Sequence, residues 1–181
     1  SIAFGLILGA AATGNLLPLQ GSTATVPFAI GLALAALASA GFGIFFNVPF
    51  RLLPACVLCG VAGHAARDLG ADLHLHLAWS TLLASTVVGV LTALLRQRYH
   101  APFAAIAFGA VVPLIPGALV LRAASGTIQL VAAGAAATPL QLVETAVAGL
   151  NACLVLLAIA VGLLAPVTLI RRIPAHHPVH P

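Results

Sequence analysis

Apolar residues run along this chain in long unbroken blocks, with polar residues gathered between them. From Ala101 to Leu121 no side chain is charged or able to hydrogen-bond. A run of that length spans the hydrocarbon of a bilayer, which takes about 20 helical residues. Similar blocks cover Val26–Phe46, Leu52–Ala66, Ala78–Leu95 and Leu142–Ala165. A shorter, Gly-rich block from Ile2 to Leu17 is closed by the polar loop Pro18 to Thr25. The pattern predicts five membrane spans, six with the first block. Leu52–Ala66 is short for a crossing, so it is expected to tilt, to be shielded by protein, or to extend into Arg67. The segment Ala123 to Leu140 is rich in Ala and Gly with Ser125, Thr127, Gln129 and Thr138 interspersed, which suits an interfacial helix or a re-entrant loop. The tail from Arg171 to Pro181, with three His and three Pro, is expected to be disordered.

Pro113 and Pro116-Gly117 fall inside the most apolar block. Each proline removes an amide donor and clashes with the preceding turn, so the helix must kink or break there. Carbonyls freed in lipid cost several kcal/mol each unless protein, water or a solute satisfies them. Broken helices at membrane depth are one way to build a transporter's solute site. A simple kink is the plainer alternative, since membrane helices tolerate proline.

Composition supports the same class. Hydrophobic residues make up 62% of the chain and charged residues 6%, and the mean hydropathy is +1.18. No charge precedes Arg51, and only Glu144 interrupts the stretch between Arg122 and Arg171. A soluble core of this size would need a polar shell that these residues cannot make. The expected fold is therefore all-α: a polytopic helix bundle in the membrane, with one Pro/Gly-broken helix. The net charge of +4 comes from arginines placed singly or in pairs at the ends of apolar runs, the distribution of membrane anchors and not of a nucleic-acid surface. The first block lacks the basic start of a signal peptide. The chain begins at Ser1 and has no Met, which suggests a piece of a longer protein.

Arg51, Arg96, Arg98, Arg171 and Arg172 gather on one side of the predicted bundle, which is expected to face the cytoplasm. Arg67 and Arg122 lie opposite, offset by Asp68 and Asp72. Gly31, Ala35, Ser39 and Gly43 recur every four residues and form a stripe along which another backbone can approach closely.

Few residues carry chemistry. Glu144 lies near the start of the last span, with Ala148 and Asn151 on roughly the same face. A carboxylate within a span is costly unless protonated or paired, which makes Glu144 a proton-coupling candidate. Its plainer role is to sit at the interface and favour the helix N-terminus. Asn47-Val-Pro-Phe-Arg51 reads as a tight turn. Gly63-His64-Ala-Ala-Arg67-Asp68 ends the short span, where His64 can titrate near neutral pH and Arg67 can hold a carboxylate, or where Arg67 and Asp68 are a surface pair. Cys56-Val-Leu-Cys59 lies in an apolar run without redox context, and Cys there packs as a small hydrophobe. His74 and His76, and the tail His176, His177 and His180, lack partners at ligand spacing, so no metal or cofactor is expected. No nucleophile elbow, phosphate loop or zinc-protease helix occurs, and the chain is not read as an enzyme.

Several of these motifs occur in a fixed order. They are Phe46-Asn47-Val-Pro49-Phe-Arg51, Gly60-Val-Ala-Gly63-His64-Ala-Ala-Arg67, Ser80-Thr-Leu-Leu-Ala-Ser85-Thr-Val-Val-Gly89, Val112-Pro113-Leu-Ile-Pro116-Gly117 and Arg122-Ala123. In that order, over roughly Gly31 to Leu164, they resemble the threonine/serine exporter family. The likeness is to its C-terminal transmembrane domain, a separate small subunit in some bacteria.

The resemblance implies a multi-pass protein of the bacterial inner membrane that exports a small hydrophilic metabolite, threonine/serine or a small dicarboxylate, driven by protons. It adds weight to Asn47, Arg51, His64 and Arg67 and to the Pro113–Gly117 motif. Relatives often place Tyr where this chain has Leu121, directly before Arg122, which removes one hydroxyl near the solute. The family's N-terminal membrane half is absent, so a partner subunit and an oligomer in the bilayer are expected, with no nucleic acid.

Residues 1–25 then read as the end of a preceding domain, 26–170 as the exporter-type domain and 171–181 as tail. The candidate solute path comprises Pro113, Pro116, Gly117, Arg122 and Asn151, with Glu144 as proton carrier. The contrasting reading is a non-transporting membrane scaffold that stabilises or oligomerises a partner through the small-residue stripe.

Overall fold

A computed structural model describes residues 27–99 and 101–171. The expected Ile2–Leu17 block and most of the tail lie outside the described residues. The described chain is helical, without strands. Helix α1 spans Phe28–Phe45, α2 Leu53–Asp72, α3 Leu77–Tyr99, α4 Phe103–Val111, α5 Gly117–Ala133 and α6 Pro139–Arg171. Five elements are long and apolar enough to cross a membrane: Phe28–Phe45, Phe50–Asp72, Leu77–Tyr99, Gly117–Ala136 and Pro139–Leu169. This is the all-α membrane bundle that the hydropathy pattern predicts.

Three boundaries differ from that pattern. First, α2 does not stop at Ala66 but continues to Asp72, so His64, Arg67 and Asp68 lie inside a span-length helix and not at its end. Second, Ala101–Leu121 is not one kinked span. After α4 comes a 3-10 turn over Val112–Leu114, and Ile115 is then extended (ψ 129°). A residue before proline is pushed out of the helical region by the proline ring, and Ile115 precedes Pro116. With the turn, this apolar helix covers only Phe103–Leu114, about 20 Å against roughly 30 Å of hydrocarbon. Third, Ala123–Leu140 is not one element: α5 begins at Gly117 and ends at Ala133, a 3-10 turn follows over Gly134–Ala136, and the stretch Gly117–Ala136 is long and apolar enough to cross a membrane.

The turn at Asn47 is tight, with φ 56°, a conformation that Asn tolerates better than most residues. The 3-10 turn Phe50–Leu52 leads from it into α2, which carries Pro54 in its first turn, where the missing amide costs nothing.

The chain divides into two compact units, and the described parts are 27–116 with 153–171, and Gly117–Ala152. In the larger unit the core is built from Leu52, Cys56, Cys59, Ala84, Val88, Ile106, Ala110, Leu114, Val155 and Ile159. Lipid tails are as apolar as these side chains, so burial alone gives little drive, and close packing and hydrogen bonds must supply it. The helices accordingly touch through small residues. Ala35, Ser39 and Gly43 of the α1 stripe are buried. A Cβ on Gly109 would meet the Gly43 Cα at 3.4 Å, and one on Gly60 would collide with the Ser39 side chain. Ser85 donates to the Ala158 carbonyl at 3.1 Å, where Gly162 leaves space for it. The Ser39 hydroxyl is fully buried and has no hydrogen-bond partner.

Candidate functional site

The described part of the smaller unit is a helical hairpin. α5 ends in a 3-10 turn over Gly134–Ala136, Gly134 takes φ 51°, and Ala137 is extended. Thr138 then caps α6: its hydroxyl accepts from the Gln141 amide at 3.3 Å, and the Gln141 side-chain oxygen accepts from the Thr138 amide at 3.2 Å. This reciprocal pair is a capping box. The first turn of α6 holds no acidic residue, so Glu144, one turn further in, does not cap the helix.

α5 and the first half of α6 meet through Gly126, whose hydrogen faces the Thr145 side chain. Further along, a Cβ on Gly149 would lie 3.8 Å from the Ala123 Cβ. The contact aligns two polar faces. Arg122, Gly126 and Gln129 follow each other by four and three residues on α5, and Gln141, Glu144, Thr145 and Ala148 share a face of α6. Together they line one cleft of about 70 Å³. That volume has room for several waters, each needing roughly 10–15 Å³. Outside the cleft, Ile128 and Val131 on α5, and Leu140, Val143, Val147 and Leu150 on α6, are exposed.

Arg122 and Glu144, identified separately in the sequence, thus line the same cleft. They do not pair with each other: among the described residues the ion pair within 4.0 Å is His64–Asp68. Arg122 and Glu144 are both exposed and both line the cleft. The Gln141 oxygen is engaged by the cap, which leaves its amide N–H groups to donate. Thr145 donates its hydroxyl to the Gln141 carbonyl at 2.8 Å and keeps its lone pairs free.

Asn151 is half-buried on α6 and does not line this cleft. Pro113 is half-buried and Pro116 buried within the larger unit, while Gly117 opens α5 and is exposed. Asn47 and Arg51 are exposed at the α1–α2 turn. His64 and Arg67 are half-buried on α2, with the His64 Nε2 3.6 Å from Asp68 Oδ2.

Gln129, Gln141 and Thr145 were not candidates on sequence grounds. Thr138-Pro-Leu-Gln141 is the signal that would have found two of the three, since a capping box fixes the start of α6 and hence its faces.

The family comparison decides what kind of protein carries this cleft. The family model described as Threonine/Serine exporter, ThrE, matches residues 31–169, well over half of the chain. The chain belongs to the threonine/serine exporter family. No solved structure matches it. This exporter-family protein is a multi-pass membrane protein of a transporter family, and the matched region contains the cleft, the Pro113–Gly117 break and the His64–Asp68 pair.

Proposed function

We propose that this chain is one transmembrane part of a proton-driven exporter in the bacterial inner membrane, and that the cleft between α5 and α6 binds a zwitterionic amino acid of the threonine/serine kind. The observation that carries this reading is that Arg122 and Glu144 line one cleft without pairing. A guanidinium holds a carboxylate through two parallel hydrogen bonds. A carboxylate opposite it suits an ammonium group, and Gln129, Gln141 and Thr145 offer partners for a hydroxyl. A dicarboxylate fits less well, because its second carboxylate would meet Glu144.

The same residues supply a coupling logic. Proton and ammonium compete for Glu144, so a proton arriving from the acidic side neutralises the carboxylate and releases the amine. The released carboxylate must shed its proton before it can load solute again. That competition is the requirement for antiport.

The hairpin also needs a partner. A span-length hairpin bearing Arg122, Gln129, Gln141 and Glu144 on one face cannot turn that face to lipid, where each unsatisfied polar group costs several kcal/mol. Another transmembrane half or a second copy of the chain closes the site. A scaffold acting through the α1 stripe has less support, because Ala35, Ser39 and Gly43 are already buried within this chain.

Efflux from preloaded proteoliposomes under an imposed pH gradient tests the proposal. The chain alone, the chain with a partner half, and Glu144→Gln in each are compared. Serine or threonine efflux that responds to the gradient, and loses that response in Glu144→Gln, supports it. Preparations that move succinate but neither amino acid overturn the zwitterion assignment. Preparations that move none of the three favour the scaffold.

A further inference from the structure

A second group of ionisable side chains lies away from the cleft. His64, Arg67 and Asp68 sit within the span-length element Phe50–Asp72, where His64 is about 20 Å from the Phe50 end and about 12 Å from the Asp72 end at 1.5 Å per residue. Asp68 is nearer that end, at about 6 Å, and ionisable side chains within a span are rare and mark ion or proton pathways when they occur.

Two details give this group a role. Asp68 adjoins Arg67 in sequence, yet its ion-pair contact is with His64, at 3.6 Å. Residues four apart share a helix face and neighbours do not, so the carboxylate meets an imidazole, a group that can gain and lose a proton near neutral pH. The pair also sits at a helix contact built to admit it. A Cβ on Gly31 of α1 would lie 3.3 Å from the His64 Nε2 and 3.9 Å from Asp68 Oδ2. The two side chains keep 28% and 35% exposure, so the chain does not seal them off.

Among the described residues of this unit, the charged side chains beside His64 are Asp68, at 3.6 Å, and Arg67, three residues on along α2. α1 and α4 carry no titratable side chain. α3 approaches Gly63 through Ala84 and Val88, and its Arg96, Arg98 and Tyr99 lie in the last turns of that helix. The described part of α6 in this unit adds Cys153 and Arg171. On α2 itself, Cys59 accepts a contact from Thr92, and Asp72, His74 and His76 lie at or beyond the helix end.

We propose that the His64–Asp68 pair is a proton-binding site, loaded at the His64 Nε2, held by Asp68 and seated against Gly31 at the α1–α2 contact. Loading converts a neutral imidazole beside a carboxylate into an ion pair, which adds one positive charge to the group. Release returns the proton to water. Its part in the transport cycle rests on the export reading above, whereas proton binding itself does not.

The test labels histidine with ¹⁵N in the full chain in lipid nanodiscs and follows the imidazoles from pH 5 to 9. The His64 signal is assigned as the one lost in His64→Gln. Asp68→Asn is expected to move its midpoint. Gly31→Ala, which keeps the imidazole and crowds Nε2, is expected to move it too. A His64 signal that does not titrate, or a midpoint indifferent to Asp68→Asn, overturns the site. In proteoliposomes, His64→Gln is expected to flatten the pH dependence of efflux while KM for serine is kept. Wild-type efflux with an unchanged profile in His64→Gln removes the transport role and leaves the cleft reading standing. No efflux from wild type reconstituted with a partner half strikes the cleft reading instead, and the spectroscopic result still decides the proton site.

Discussion

Gly126 of α5 faces Thr145 of α6 so closely that a Cβ at position 126 would collide with the threonine hydroxyl. This contact brings Arg122 and Glu144 to one cleft. Gly126→Val should therefore wedge the hairpin apart. Overpacking of this kind costs about 1–3 kcal/mol. The expected outcome is a lower melting temperature in detergent together with lost efflux, and Thr145→Ala in the same chain should recover part of both. Full efflux in Gly126→Val would mean that the cleft is not the solute site.

Arg122 is expected to act on the solute carboxylate. Arg122→Gln should raise KM for serine by tenfold to a hundredfold, in line with the roughly 1.5–3 kcal/mol of a hydrogen bond to a charged group. Uptake competition by serine amide, which lacks the carboxylate, should differ little between wild type and variant. Equal losses for both compounds would assign Arg122 a structural role.

The Ser39 hydroxyl is buried without a partner where α1 meets Gly60. Leaving a buried polar group unsatisfied costs about 1–3 kcal/mol. Ser39→Ala should thus raise the thermal midpoint, and Gly60→Ala should lower it through collision with the residue 39 side chain. Thermal unfolding followed by circular dichroism separates these outcomes, and a Ser39→Ala protein less stable than wild type would contradict the account.

Thr138 and Gln141 cap α6 reciprocally. Thr138→Ala should cost about 1 kcal/mol, the usual loss for a removed N-cap. Hydrogen exchange should accelerate at the amides of the first turn and a half, up to Glu144, and not beyond Ala148. Uniform acceleration along α6 would point to global loosening.

Some elements were legible because apolar runs in a membrane protein have one stable form. Backbone groups in lipid must be bonded within the segment, so a long apolar run becomes a helix, and α1 lies within two residues of its predicted limits. The end of α2 was misjudged because Arg67 and Asp68 look like a stop to a spanning helix. Contact between His64 and Asp68 within the helix removes part of that cost. The start of α5 at Gly117 was hidden because Ser125, Thr127 and Gln129 set the polar segment apart from the apolar run before it. Ser125 and Thr127 donate to the Arg122 and Ala123 carbonyls of their own helix, and so remain compatible with it.

By itself the sequence determined the membrane class, the helical content and the break at Pro113–Gly117, because each follows from local chemistry: apolar length, backbone satisfaction and the missing proline amide. Tertiary structure alone decided which polar groups meet. Arg122 and Glu144 are separated by a turn whose geometry no periodicity encodes, and Gly126 sets how closely their helices approach. Likewise His64 and Asp68 meet on one helix face only because α2 continues past them, and Gly31 on another helix leaves them room.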